Sequence, residues 1–187
     1  MHRLSDWLVR STPGWLALLS LAAFLAFTAT VLPRQAADAA EVGAGAGSPD
    51  TSFFYSPADL AAMAEAYGPD GRQAYVHARY TFDVAWPLVY GVFLVTSISW
   101  LIRRGFPPGS PWRLANLAPI AAVIFDGLEN LSTSVVMLRY PEPAPALAAL
   151  APWFTAVKWI LVGASMLLLL ISAAAALLRR LPPDASA

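Results

Sequence analysis

The chain has 187 residues, of which 58% are hydrophobic and 13% charged, with 12 basic and 12 acidic side chains. A soluble domain is about a quarter charged, so half that share points to the membrane class. Zero net charge offers nothing to nucleic acid, and the absence of cysteine excludes disulfides, thiolate metal sites and dithiol redox chemistry.

Two histidines, His2 and His77, are too few for a multi-histidine metal site or a bis-histidine haem. No phosphate loop, nucleophile elbow or metal-ligand spacing is present either, so neither metal nor cofactor is expected.

Trp15 to Leu32 is an uncharged run closed by Pro33, long enough to cross the ~30 Å hydrocarbon core as a helix. Arg3 and Arg10 precede it and Ala-rich sequence follows at Ala36 to Ala40, so a cleaved signal peptide competes with a first span. Gln35 to Asp50 contains GAGAGSPD, has no apolar period and reads as a flexible linker.

SPADLAAMAEAYG then predicts a short helix over 57–67. Ser56 is its N-cap, Pro57 its first residue, Asp59 an early acid and Gly68 its end. Leu60, Met63, Ala64 and Tyr67 share one face, suited to packing on the end of a bundle or to lying on the membrane as a lid.

The second long helix starts near Gly71 and runs to Arg104, with Pro87 as a kink. The third span is Leu114 to Leu138, broken by Arg139 to Pro145. The fourth runs from about Ala146 to Leu178 and is closed by Arg179-Arg180-Leu181-Pro182-Pro183.

The expected architecture is therefore all-α: one integral membrane domain over 1–187, a four-helix bundle. Its spans are about 15–32, 80–102, 114–138 and 153–178, and its extracytoplasmic segment is 33–72. Arg3, Arg10, Arg103, Arg104, Arg113, Arg179 and Arg180 fall on one side of such a bundle. Arg34, Arg72, Arg79 and Arg139 fall on or towards the other. The positive-inside rule then places both termini in the cytoplasm.

The third span is the unusual one. Its FDGLENLSTS stretch puts Asp126, Glu129, Asn130, Thr133 and Met137 within roughly one 100° arc of a helix. Ala122, Pro119 and Ala115 extend this stripe with small residues that permit close helix approach. Leu128, Leu131 and Val135 form the back. On the second helix Arg79, Asp83, Trp86 and Tyr90 share a face, and on the fourth Lys158, Ser165 and Ser172 are heptad-spaced.

At 1.5 Å per residue Asp126 stands about 20 Å above Arg113, Glu129 about 24 Å, Asp83 about 30 Å above Arg103 and Lys158 about 31 Å above Arg179. A polar pocket between helices two, three and four, opening outward, follows, with the first helix closing the bundle. Its candidate ligand-binding residues are Asp83, Trp86, Tyr90, Asp126, Glu129, Asn130 and Lys158. Asp83, Asp126 and Glu129 against Lys158 and Arg79 leave one acid in excess, to be met by a proton, water, an ion, Arg139 or a ligand. Trp7, Trp15, Trp100, Trp112 and Trp153 read as interface anchors, and His77 as a solvated side chain.

GRQAYVHARYTFDVAWPLVYG, Gly71 to Gly91, together with FDGLEN, Phe125 to Asn130, resembles an uncharacterised family of bacterial four-span membrane proteins. The likeness covers about three-quarters of the chain, leaving out the Ala/Gly linker and both tails. In topology the chain is also similar to the EXPERA group, which includes sterol isomerases and a sigma-2-type receptor. That resemblance implies four spans, cytoplasmic termini and acids inside a lipid-accessible pocket, and it assigns no catalytic residue. The lack of a membrane-embedded histidine beside the acids sets this chain apart from sterol-type isomerisation.

The expected location is a bacterial inner membrane, in keeping with the high Ala, Pro and Arg usage of a GC-rich genome. The expected role is binding of a lipid or an amphipathic small molecule, with membrane lipids as surroundings. Two alternatives use the same residues. One is a membrane-embedded enzyme doing acid–base chemistry on a lipid; the other is a structural or accessory subunit whose charges lock helix packing.

Overall fold

The computed structural model describes residues 1–43 and 45–180, and the described residues contain helices and no strand. The expected Leu181-Pro182-Pro183 stop lies outside them. The helices are α1 (His2–Ser11), α2 (Gly14–Thr30), α3 (Leu32–Val42), α4 (Pro57–Tyr80), α5 (Phe82–Gly105), α6 (Ala118–Arg139) and α7 (Pro145–Leu178). Short 3₁₀ turns cover Pro49–Thr51 and Pro111–Leu117. Three stretches, Pro57–Gly105, Pro111–Arg139 and Pro145–Leu178, are long and apolar enough to cross a membrane. A fourth arises if α1 and α2, bent 93° from each other, count as one broken span.

Thr12 and Pro13 make the bend between α1 and α2. Both residues are extended, Pro13 at φ −79°, ψ 159°, and proline supplies no amide to continue α1. The short polar helix α1 was not apparent from the sequence. Val9 is buried against the α5 end of the bundle, while Leu4 and Trp7 remain exposed. The Ser5 hydroxyl donates to the Arg113 carbonyl at 2.7 Å, and Asn116 Nδ2 donates to the Ser5 carbonyl at 3.4 Å.

Three boundaries differ from expectation. Pro33 does not end the first helical stretch, because it occupies the first turn of α3, where a missing amide costs nothing. The chain there, LPRQAADAAEV, is helical rather than a linker as far as Val42, because alanine is the strongest helix former. Gly68, at φ 64° and ψ 178°, breaks α4 as predicted. The helix resumes at Pro69, close to the start expected near Gly71, and runs on to Tyr80. A second break at Thr81, φ −118° and ψ −81°, separates α4 from α5 inside the long helix expected from Gly71 to Arg104. The Ser56 cap is present as a full capping box. The Asp59 amide donates to Ser56 Oγ at 3.1 Å, and the Ser56 amide donates to Asp59 at 2.8 Å.

The helices α5, α6 and α7 pack on one another, with α2 against α5. Gly91 allows the α5–α6 approach, since a Cβ there would stand 2.7 Å from Val123 Cγ2. Ser20 and Thr96 tie α2 to α5 by a buried hydroxyl–hydroxyl hydrogen bond of 2.7 Å. Leu128 and Leu131 face outward from α6, as the helical spacing predicted.

Two apolar clusters divide the interior. One holds Tyr55, Leu60, Met63, Tyr67, Tyr75, Val136, Met137 and Ala151. The other holds Val9, Tyr90, Phe93, Leu94, Ile98, Ile102, Ala122 and Leu168. On α6 the polar residues Asp126 to Thr133 lie between Ala122 and Val136. On α7 Lys158 lies between Ala151 and Leu168, and Arg79 and Asp83 lie between Tyr75 and Tyr90. A polar layer thus separates two apolar ones.

Candidate functional site

The middle of this layer is an ion cluster built from four helices and one turn. α7 projects Lys158, 5% exposed, whose Nζ lies 3.2 Å from Asp126 Oδ1 of α6 and 3.4 Å from Asp50 Oδ1. It also contacts Glu129, one α6 turn further on. Arg79, near the C-terminal end of α4, is 6% exposed and pairs with Asp83 at 2.7 Å, an i,i+4 neighbour across the Thr81 break. Its other terminal nitrogen pairs with Asp50. Asn130 Nδ2 donates to the Asp83 carbonyl at 3.4 Å and so joins α6 to the first turn of α5.

Asp50 is the member that helical spacing did not reveal. It sits on the 3₁₀ turn Pro49–Thr51, in the stretch read as a linker, 108 residues from Lys158 in sequence. The only local hint was a Ser48-Pro49-Asp50 turn signature, which says nothing about what the turn meets.

Its presence changes the charge count. Asp50, Asp83, Asp126 and Glu129 oppose Arg79 and Lys158, so the formal excess is two acids, not one. Arg139 does not help to balance it; that residue is half-exposed and pairs with Glu142 at 3.5 Å.

Asp50, Asp126 and Glu129 each bring one oxygen within 4.8 Å of the others, a spacing that would suit a hard cation. Lys158 Nζ contacts all three, so an ammonium takes the place a metal would need.

Beside the cluster is a cavity of about 850 Å³. Asp50, Arg79, Asp83, Asp126 and Lys158 form its charged wall. Phe24, Trp86, Tyr90, Trp159, Val162 and Met166 form an apolar, largely aromatic one. Trp86 stacks on Phe24 and Phe27, with ring centroids 5.7 and 5.6 Å apart, and meets Tyr90 edge-on at 5.7 Å. α2 and α3 therefore do more than close the bundle: Phe24, Leu32, Ala36, Ala39 and Val42 face the same space. His77 is exposed, as expected, and stands on the cavity wall.

Five of the seven residues proposed from sequence, Asp83, Trp86, Tyr90, Asp126 and Lys158, line this cavity. Glu129 and Asn130 stand behind its wall, Glu129 fully buried against Lys158. Three buried donors on the wall, Arg79 Nε and the Tyr75 and Tyr90 hydroxyls, have no hydrogen-bond partner. Such orphan groups are uncommon in folded interiors.

Comparison with family models, with curated proteins and with solved structures finds no match to this chain, so its own geometry carries the reading of the site.

Proposed function

We propose that the protein is a four-span membrane protein that binds a lipid or an amphipathic small molecule in the cavity beside the Lys158 cluster. The carrying observation is that one cavity of about 850 Å³ joins an aromatic wall to a charged one. Ligand pockets of roughly 300–1,000 Å³ combine an apolar lining with a few placed polar groups in this manner. Ionisable side chains at membrane depth pair with each other or line a pathway, and here both descriptions apply.

In this reading α2, α5, α6 and α7 are the spans, and α1 lies along the membrane surface with Trp7 and Leu4 towards lipid. The arginine-rich end, with Arg103 Nη1 donating to the Arg10 carbonyl at 3.3 Å, faces the cytoplasm of a bacterial cell. The cavity then opens outward, beneath α3 and the C-terminal half of α4. A topological relationship to the EXPERA group belongs to the same proposal.

The structural reading also has an observation behind it: the cluster ties α4, α5, α6 and α7 together, which would fix helix register without any ligand. The variant Ala78→Trp separates the two. Ala78 lines the cavity and belongs to no ion pair. Native mass spectrometry of protein extracted with its lipids is expected to show a bound amphiphile on the wild type and its loss from Ala78→Trp, at an unchanged melting temperature. Identical occupancy in both, or none in the wild type, favours the structural reading.

A further inference from the structure

Five of the six charged groups in the cluster stand on α4, α5, α6 and α7. Only Asp50 arrives from outside the bundle, on a strap that crosses the cavity. The strap is pinned on both sides of it. The Tyr67 hydroxyl donates to the Gly47 carbonyl at 2.6 Å, and the Tyr55 hydroxyl meets Thr155 Oγ1 at 3.1 Å. Between these points Asp50 reaches in and sets one carboxylate between Arg79 and Lys158. It is the most exposed acid of the cluster, 21% against 10% for Asp83, 8% for Asp126 and 1% for Glu129.

The seat that Asp50 fills is built for an anion. Arg79 turns one terminal nitrogen to Asp83 and the other to Asp50, and its Nε has no acceptor at all. A guanidinium offers five donors in a rigid fork and is best met by planar or tetrahedral oxyanions. The nearby Tyr90 hydroxyl is unpartnered as well. On the cavity wall the donors Arg79 Nε and the Tyr75 and Tyr90 hydroxyls are therefore open to an acceptor, while the acceptor there without a hydrogen bond, Asp83 Oδ2, is already ion-paired with Arg79. The apolar wall of Phe24, Trp86, Trp159, Val162 and Met166 runs on from this seat and would take a hydrophobic body.

We infer that the ligand carries its own anionic headgroup, a carboxylate or a phosphate, on an apolar body. Asp50 is then a tethered carboxylate that holds the headgroup's seat between Arg79 and Lys158 until the ligand displaces it. The exchange is charge for charge: one carboxylate leaves and one anion enters, and the formal excess of two acids is unchanged. The strap thereby reports occupancy, because a seated headgroup and a seated Asp50 exclude each other. This inference rests on the amphiphile-binding reading above.

Dodecanoate, dodecyl phosphate, dodecanol and dodecyltrimethylammonium can be titrated calorimetrically into the full chain in zwitterionic nanodiscs. The wild type, Asp50→Asn and Asp50→Ala are compared; Asp50→Asn keeps the side-chain shape if the alanine variant folds poorly. A tether presents its group at an effective concentration of order millimolar, so removing it is expected to tighten binding of the anionic probes about tenfold or more. Dodecanol affinity should stay unchanged. A gain for dodecyl phosphate alone, or for dodecanoate alone, supports the inference and identifies the headgroup.

With no native cysteine, spin labels can be placed at Phe53→Cys and His77→Cys, both exposed. Saturating anionic amphiphile should lengthen the distance between them. Equal gains for all four probes, a gain greatest for dodecyltrimethylammonium, no gain at all, or an unchanged label distance at saturation each overturn the inference. Failure of every probe to bind any variant that melts normally overturns the cavity reading itself.

Discussion

Replacing Lys158 by Met tests the cluster most directly. The ammonium is 5% exposed and faces Asp50, Asp126 and Glu129, so methionine keeps most of the volume but leaves the α6 carboxylates without a cation. Removing one partner of a buried ion pair is worth about 3–5 kcal/mol of destabilisation, because the remaining charge is neither solvated nor compensated. For a chain of this size 1 kcal/mol moves the melting temperature by about 2–4 °C, so Lys158→Met should melt about 6–20 °C below wild type. Glu129, fully buried against Lys158, identifies the second arm of the cycle. Glu129→Gln removes one of the stranded charges, and the double variant should recover part of the loss, with a coupling of about 0.5–3 kcal/mol. Thermal melting in one fixed detergent, followed by circular dichroism, reads all four proteins. A Lys158→Met protein as stable as wild type, or strictly additive losses, would falsify the arrangement described here.

Other parts of the fold make their own predictions. Gly91→Ala puts a methyl 2.7 Å from Val123 Cγ2 and should destabilise by about 1–3 kcal/mol; Val123→Ala should restore much of it, and no restoration would place the strain elsewhere. Ser20→Ala and Thr96→Ala each break the α2–α5 hydroxyl pair, and a double-mutant cycle between them should give about 0.6 kcal/mol, with about 1.7 as an upper value for such bonds. A cycle of zero would mean that α2 packs on α5 without that bond. At the start of α4, hydrogen bonds from the Ser56 amide and hydroxyl hold the exposed Asp59 carboxyl below its ordinary value of 3.8. A depressed folded value stabilises above the unfolded one, so the capping box should support the helix at neutral pH. That support should fade as pH falls below about 3.8 towards the lower folded value. The protection of the Asp59–Met63 amides, taken relative to intrinsic exchange at each pH, should therefore fall in that window in the wild type, whereas Ser56→Ala should show low and pH-independent protection throughout.

What could be read in the chain was local. The 3.6-residue period put Asp126, Glu129, Asn130 and Thr133 on one face of α6 and Leu128, Leu131 and Val135 on the other, and the structure buries the first set, exposes Leu128 and Leu131 and leaves Val135 half-buried. The apolar lengths of α5, α6 and α7 and the Ser56 cap were equally legible, because each depends on residues within a few turns. The Gln35–Val42 helix is hidden in the sequence because the glycines after it mask the helical preference of its alanines. The Arg139–Glu142 pair went unseen because a turn brings residues three apart together without a helical period.

Depth estimates along separate helices placed Asp83 and Lys158 about 6–11 Å above Asp126 and Glu129. The fold brings all four into one layer: the 3₁₀ stretch Pro111–Leu117 rises faster per residue than an α-helix, and the long arms of Lys158 and Arg79 span the remainder.

The sequence by itself determined that helices of this chain carry inward charge, since periodicity needs no partner to be seen. Only the tertiary structure decided which charges meet. Asp50 reaches Lys158 across 108 residues because the strap from Gly47 to Tyr55 lies against the helices, and no spacing rule records the path of a strap. The second surplus acid and the carboxylate seated between Arg79 and Lys158 follow from that one long-range contact, and both stand on the wall of the cavity.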